Sequence, residues 1–162
     1  MRDAQAGGAS GVEALFRAHW RPAFRAAYLV VHDAAAAEDI AQEAFLSALR
    51  ALDRFDRRRP LGPWLHRIVV NRAIDWRRAR QVRGETGLVD AAAWNDTREL
   101  SDETLGALAR LTPEHRAVIV LRHLLGYSPG EIAELLDLPR GTVNSRLRRG
   151  LDTLREAVTR EA

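Results

Sequence analysis

The chain has 162 residues, no Cys, and a formal net charge of +3 from 25 basic and 22 acidic side chains. That length allows one or two small domains with modest cores, and the lack of Cys excludes a disulfide framework or a thiolate metal site and suits a reducing cytoplasm. With only 11 Gly and 6 Pro among abundant Ala, Arg and Leu, an all-α fold is expected.

Every basic residue is Arg, so the sequence pI of about 10.4 overstates a small net charge. Distribution says more. Residues 1–83 carry fifteen Arg against nine acids, residues 84–101 one against four, and residues 102–162 nine against nine. This segmentation predicts two modules and an acidic linker. No apolar run is long enough to span a bilayer, and the N-terminus lacks a signal peptide's apolar core. No membrane insertion is expected, and a cytoplasmic location is.

Residues 1–11 are small and polar and are expected to form a disordered tail. From Val12 the spacing of Leu15, Phe16, Phe24, Ala27, Tyr28 and Val31 predicts a helix with a kink or break near Pro22. Asp33 then suits the N-cap of a second helix over about 35–52. Its apolar face holds Ile40, Ala41, Ala44, Phe45, Ala48 and Leu52, while Asp39, Gln42, Glu43, Leu46 and Arg50 lie opposite. Leu46 among polar neighbours suggests a partner-facing patch rather than a simply solvated face.

Residues 53–63 read as an Arg-rich loop with one aromatic, Phe55. A third helix is expected over 64–83. Between its apolar sectors runs a stripe of Trp64, Arg67, Asn71, Asp75 and Arg78 at i, i+3/i+4 spacing. Eleven Arg and three acids fall between Arg50 and Arg83. Arg can meet phosphates, and Trp or Phe can stack on unpaired bases. A solvated Arg-rich helix with core tryptophans fits equally well, and Trp76 suits the core better than a site.

Residues 84–101 lack periodicity and read as a flexible linker. Roughly twenty residues reach at most about 70 Å, comparable to two turns of duplex. Next come a helical stretch over 103–111 and a helix opened by Thr112-Pro113-Glu114, carrying Val118, Ile119, Leu121, Leu124 and Leu125. Ser128, Pro129 and Glu131 then form a capping-box pattern. The short helix that follows is broken at Asp137-Leu138-Pro139, and a last helix starts near Arg140. Val143, Leu147, Leu151 and Leu154 share one face of it. Thr142, Ser145, Arg148 and Arg149 occupy the other, flanked by Asn144 and Arg146. Two short helices, a tight turn and a polar-basic outward face make a helix-turn-helix suited to a DNA major groove. A plain αα-hairpin with a solvated basic face is the alternative.

Signs of catalysis are missing. His19, His32, His66, His115 and His123 have no i, i+4 partner with an acid, and no phosphate loop, nucleophile elbow or dinucleotide fingerprint occurs. No catalytic residue, metal site or cofactor is expected.

The run IAELLDLPRGTVNSRLRRGLDTLR resembles region 4 of the bacterial sigma factors, particularly the two-domain extracytoplasmic-function group, with Asp137 where many members have Gly. AEDIAQEAFLSALRAL resembles region 2.2, and WLHRIVVNRAID resembles regions 2.3 and 2.4. The likeness covers about 12–83 and 105–158. It implies a region 2 domain over 12–83, a linker over 84–104 and a region 4 domain over 105–162. By the same resemblance, Asp39, Gln42, Glu43, Leu46 and Arg50 would meet the clamp of the largest subunit of core RNA polymerase, with the flap as a further contact. Phe55 and its loop would form a base pocket for the melted −10 strand, beside Trp64, Arg67, Asn71 and Arg78. Arg140, Thr142, Asn144, Ser145, Arg148 and Arg149 would read the −35 duplex, and Arg122 would touch its backbone. An anti-sigma factor is expected on the same ground. Two rival readings stand beside it: a free-standing helix-turn-helix regulator not bound to polymerase, and an RNA-binding or structural helical protein.

Overall fold

The computed structural model describes residues 8–85 and 100–161. Among them are seven α-helices and no strand. The tail over 1–7 and most of the linker, 86–99, lie outside the described residues.

Helix α1 (Ala9–Val31) starts inside the stretch read as tail and runs through Pro22 without the expected break. Pro22 is exposed, so water can serve the carbonyl that its ring leaves without a partner. His32 ends α1 in the left-handed region, φ 54°, with its N–H on the Tyr28 carbonyl at 2.8 Å. Asp33 caps α2 (Ala34–Arg50) as expected, accepting from the Ala36 N–H at 3.0 Å. A 3₁₀ turn over Leu52–Arg54 leads to the Arg-rich loop. Helix α3 (Leu61–Val82) begins three residues before the expected Trp64, because Pro63 sits in the first turn, where a missing N–H costs nothing.

These three helices pack through Ala26, Ala27, Ala37, Ala41, Ala44 and Ala73, all fully buried. Small side chains let helix axes approach closely. Trp76 is half-buried against this core, with the Arg80 guanidinium 5.1 Å above its ring, in keeping with a packing role.

Helix α4 (Asp102–Ala109) begins within the span assigned to the linker, capped by Ser101. Thr112 caps α5 (Pro113–Ile119), which passes into a π-helical turn over Val120–Leu124. The capping box forms in full: the Glu131 N–H donates to Ser128 Oγ at 3.2 Å, and the Ser128 N–H to Glu131 Oε2 at 2.7 Å. Helix α6 (Pro129–Leu136) ends at Asp137, left-handed at φ 54°, a conformation Asp tolerates better than most residues. Helix α7 (Arg140–Glu161) completes the chain.

The two domains are docked. One cluster of buried apolar residues runs from Val30, Val70 and Ile74 to Val118, Leu121 and Val143, while Leu29 meets Leu105 and Val120 in a second.

Candidate nucleic-acid interface

Arg116 sits at the junction of the two domains, fully buried. It donates to four carbonyls: Val30 at 2.6 Å, Leu108 at 2.7 Å, Ala109 at 2.9 Å and Leu111 at 3.1 Å. Three of these end or follow α4 and one belongs to the last turn of α1, and carbonyls at helix C-termini carry partial negative charge. Burial, then the nearby Arg77, pushes its pKa down to about 9, so it stays charged at neutral pH. Nothing in the sequence reading singled it out. The available signal was an Arg one turn before Ile119 and Val120, inside the apolar stripe of α5.

Neighbouring His32 is buried, with Nε2 lacking a hydrogen-bond partner. Burial first, then the charge of Arg116, pushes its pKa down to about 3. Two polar contacts also join the domains. Arg78 pairs with Glu114, and His66 Nδ1 lies 2.6 Å from the Tyr127 hydroxyl. Burial alone would raise the Glu114 carboxyl, but Arg78 pulls it below its usual range.

The five polymerase candidates on α2, Asp39, Gln42, Glu43, Leu46 and Arg50, are all exposed. Glu43 pairs with Arg72 at 2.9 Å, and the same guanidinium donates to Ser47 Oγ at 2.7 Å. Leu46 is 53% exposed. Beside it opens an apolar groove of about 330 Å³, formed by Val12, Leu15 and Phe16 of α1, Gln42 and Phe45 of α2, and Leu61 and Trp64 of α3. Phe16, 44% exposed and stacked on Trp20 at 4.9 Å, enlarges this patch, a contribution its helical spacing disguised as core.

The stripe expected for the −10 strand divides. Trp64 and Arg67 line a cleft of about 610 Å³ with Arg54, Phe55 and Arg59. Phe55 is largely buried, its ring 4.7 Å from Trp64, so it backs that indole rather than standing free. Asn71 turns onto its own helix, donating to the Arg67 carbonyl at 2.8 Å, and Arg78 is taken up by Glu114. The far wall of the cleft belongs to the other domain: Tyr127, Glu131, Glu134 and Leu135. No local pattern in the sequence signals this wall.

The last helix keeps its expected faces. Val143 and Leu147 are buried, and Leu151 and Leu154 half-buried. A Cβ added to Gly150 would lie 2.8 Å from Ile119 Cγ1, so α7 rests its backbone directly on α5. On the outward side Arg140, Asn144, Arg148 and Arg149 are exposed, and Thr142 and Ser145 partly so. Arg122 is exposed and donates to the Tyr127 carbonyl at 3.2 Å. Among the described residues no group of three or more His, Cys, Asp or Glu could hold a metal ion, and no helix is long and apolar enough to cross a membrane.

Residues 15–83 match the family model for sigma-70 region 2, and residues 101–154 that for sigma-70 region 4. The chain is 34% identical over 151 residues to the ECF RNA polymerase sigma factor SigW of Bacillus subtilis, covering 82% of this chain and 81% of that one. With SigL of Mycobacterium tuberculosis it shares 35% identity over 161 residues, covering 94% and 91%. Among solved structures it is similar to CnrH in complex with the cytosolic domain of CnrY, at TM-score 0.73 and 25% identity over 99% of this chain and 96% of that one. In fold it also resembles RpoE of Bartonella quintana bound to the anti-sigma factor NepR, at TM-score 0.70 and 23% identity, covering 91% and 96%.

Proposed function

The chain belongs to the extracytoplasmic-function group of sigma-70 RNA polymerase sigma factors, and from that membership we propose how its surfaces divide the work of promoter-specific initiation. As a sigma factor it binds core RNA polymerase and directs it to promoters. It supplies contacts, not chemistry. Asp39, Gln42, Glu43, Leu46 and Arg50 take the polymerase clamp, and the adjoining apolar groove extends that contact.

Trp64, backed by Phe55, offers a flat face to an extruded base, while Arg54, Arg59 and Arg67 supply positive charge for its backbone. Asn71 and Arg78 join them once released from their present partners. Thr142, Asn144, Ser145, Arg148 and Arg149 read base edges of the −35 duplex, with Arg122 and Arg140 on phosphates. Residues 12–83 and 105–162 act as the two working domains, and an anti-sigma protein holds the factor in reserve, as NepR is bound to RpoE. A cytoplasmic location follows from working on polymerase.

The observation that carries this reading is the exposed polar-basic face of α7 opposite its buried seam at Val143 and Leu147. Run-off transcription with purified core polymerase and a promoter library tests it. Initiation at a defined set of sites is expected only when this protein is added, and failure at every site overturns the reading.

A further inference from the structure

The corner between α1 and α2 gathers positive charge from two other helices. On one side Arg116 of α5 donates to the Val30 carbonyl at 2.6 Å, two residues before His32. On the other, Arg80 of α3 lies 3.7 Å from Asp33, the residue after His32, and Arg77 precedes Arg80 by about one turn of that helix. His32 itself is only 9% exposed. Its Nε2 and the Nε of Arg77 are both buried, and neither has a hydrogen-bond partner among the described residues. Burying a polar nitrogen without a partner is costly, and burying a guanidinium without a counter-charge more so.

The carboxylate at this corner is already committed. Asp33 caps α2 through Oδ1 and meets Arg80 through Oδ2. The four acceptors of Arg116 are carbonyls, which satisfy its N–H groups but carry no formal charge. Arg77 is partly exposed, so its side chain can be reached from water. After burial, Arg116 and then Arg77 push the His32 pKa down, and Arg77 does the same to Arg116. The three groups thus share one neighbourhood of positive potential.

From this cluster we propose a binding site for a protonated oxyanion, hydrogen phosphate being the simplest, held between Arg77 and His32 with Arg116 behind them. The two orphaned nitrogens ask for opposite things. Arg77 Nε–H needs an acceptor. The other nitrogen of His32 faces the Leu29 carbonyl, so in the neutral ring Nε2 is a bare acceptor and needs a donor. Hydrogen phosphate offers both, an oxygen for the guanidinium and an O–H for the imidazole, together with negative charge. Sulfate has the same shape but no proton at neutral pH, and chloride only accepts. Water could bridge the two nitrogens but would leave the charge unopposed. The site does not depend on the proposed DNA or polymerase contacts.

The test uses the full-length chain in a gluconate buffer at pH 7 and constant ionic strength. Thermal melts are recorded against orthophosphate, with sulfate at equal concentrations as the match for shape and for general salt effects. Beyond half-saturation, phosphate should raise Tm by about 3–6 °C for each ten-fold increase, in excess of sulfate. Arg77→Gln, which removes the charge and the Nε donor, should erase that excess. In the same titration the His32 ring signals, assigned by their loss in His32→Asn, should move saturably with phosphate in proton–carbon NMR.

Equal gains from phosphate and sulfate overturn the site, as does a phosphate excess that survives Arg77→Gln. A gain in Tm with His32 unmoved places the anion elsewhere and overturns it too. Should Arg77→Gln fail to fold, the phosphate–sulfate comparison and the His32 signal of the wild type still decide.

Discussion

Helix α7 and the Trp64 cleft are both proposed to meet DNA, yet they are assembled from different distances along the chain. The α7 face is supported within one domain, by Val143 and Leu147 in the core and by Gly150 against Ile119. Its outward side chains are exposed in the chain as it stands. The cleft draws one wall from α3 and its preceding loop and the other from α6, so its shape depends on how the domains dock. A duplex reader can be finished in advance. A single-strand reader that must act only after melting gains from being assembled late.

The largest effect should come from the residue that joins the two regions. Arg116→Met removes the side-chain donor shared by four carbonyls, three of the bonds buried and one part-buried, and should cost about 3–5 kcal/mol, since buried polar groups that lose a charged partner are expensive; urea unfolding measures it. A loss below about 1 kcal/mol would mean that the docking does not depend on this side chain.

Two adjacent positions on α7 then separate reading from support. Arg149→Ala should cost about 1–3 kcal/mol in affinity for −35 duplex, with stability unchanged. Equal loss on scrambled duplex would make Arg149 a phosphate contact. Gly150→Val should cost about 1–3 kcal/mol of folding stability by overpacking against Ile119, with binding falling only as far as folding does.

A smaller, pH-dependent effect reports the junction from the other side. The folded pKa of His32, about 3, lies below the unfolded value of 6.5. As pH falls below about 6.5 the unfolded chain takes up the proton first, so stability is lost toward acid and the loss levels off only near the folded pKa. Between pH 7.5 and 5.5 this amounts to about 1 kcal/mol. His32→Asn, which tolerates the left-handed conformation, should flatten that slope in thermal melts across the same range. The smallest effect on the fold belongs to the face of α2 proposed for polymerase. Leu46→Glu should change unfolding free energy by less than about 0.5 kcal/mol while weakening retention on core polymerase in a pull-down.

How much of this was legible in the sequence follows the same division. The helix-turn-helix could be read because its determinants are local. Ser128 and Glu131 are three residues apart, and Asp137 ends α6 by a turn conformation that it tolerates. The caps at Asp33 and Thr112 were legible for the same reason. Pro22 misled, because its cost depends on which side of the helix faces water. The cleft and the docking were not legible. Arg116 reaches a carbonyl 86 residues away, and no periodicity encodes such a pairing. The stripe from Trp64 to Arg78 was correctly placed on one helix, but what each member touches is decided by a domain whose position the stripe does not specify.

One indole belongs to two spaces. Trp64 forms part of the apolar groove next to Leu46 and also part of the cleft beside Arg67. Any guest that shifts this ring to fit one space reshapes the other, so occupancy of the two is thermodynamically linked and the linkage is reciprocal. On the proposed division of surfaces, grip on the enzyme and capture of a base would thereby share a hinge no wider than a tryptophan.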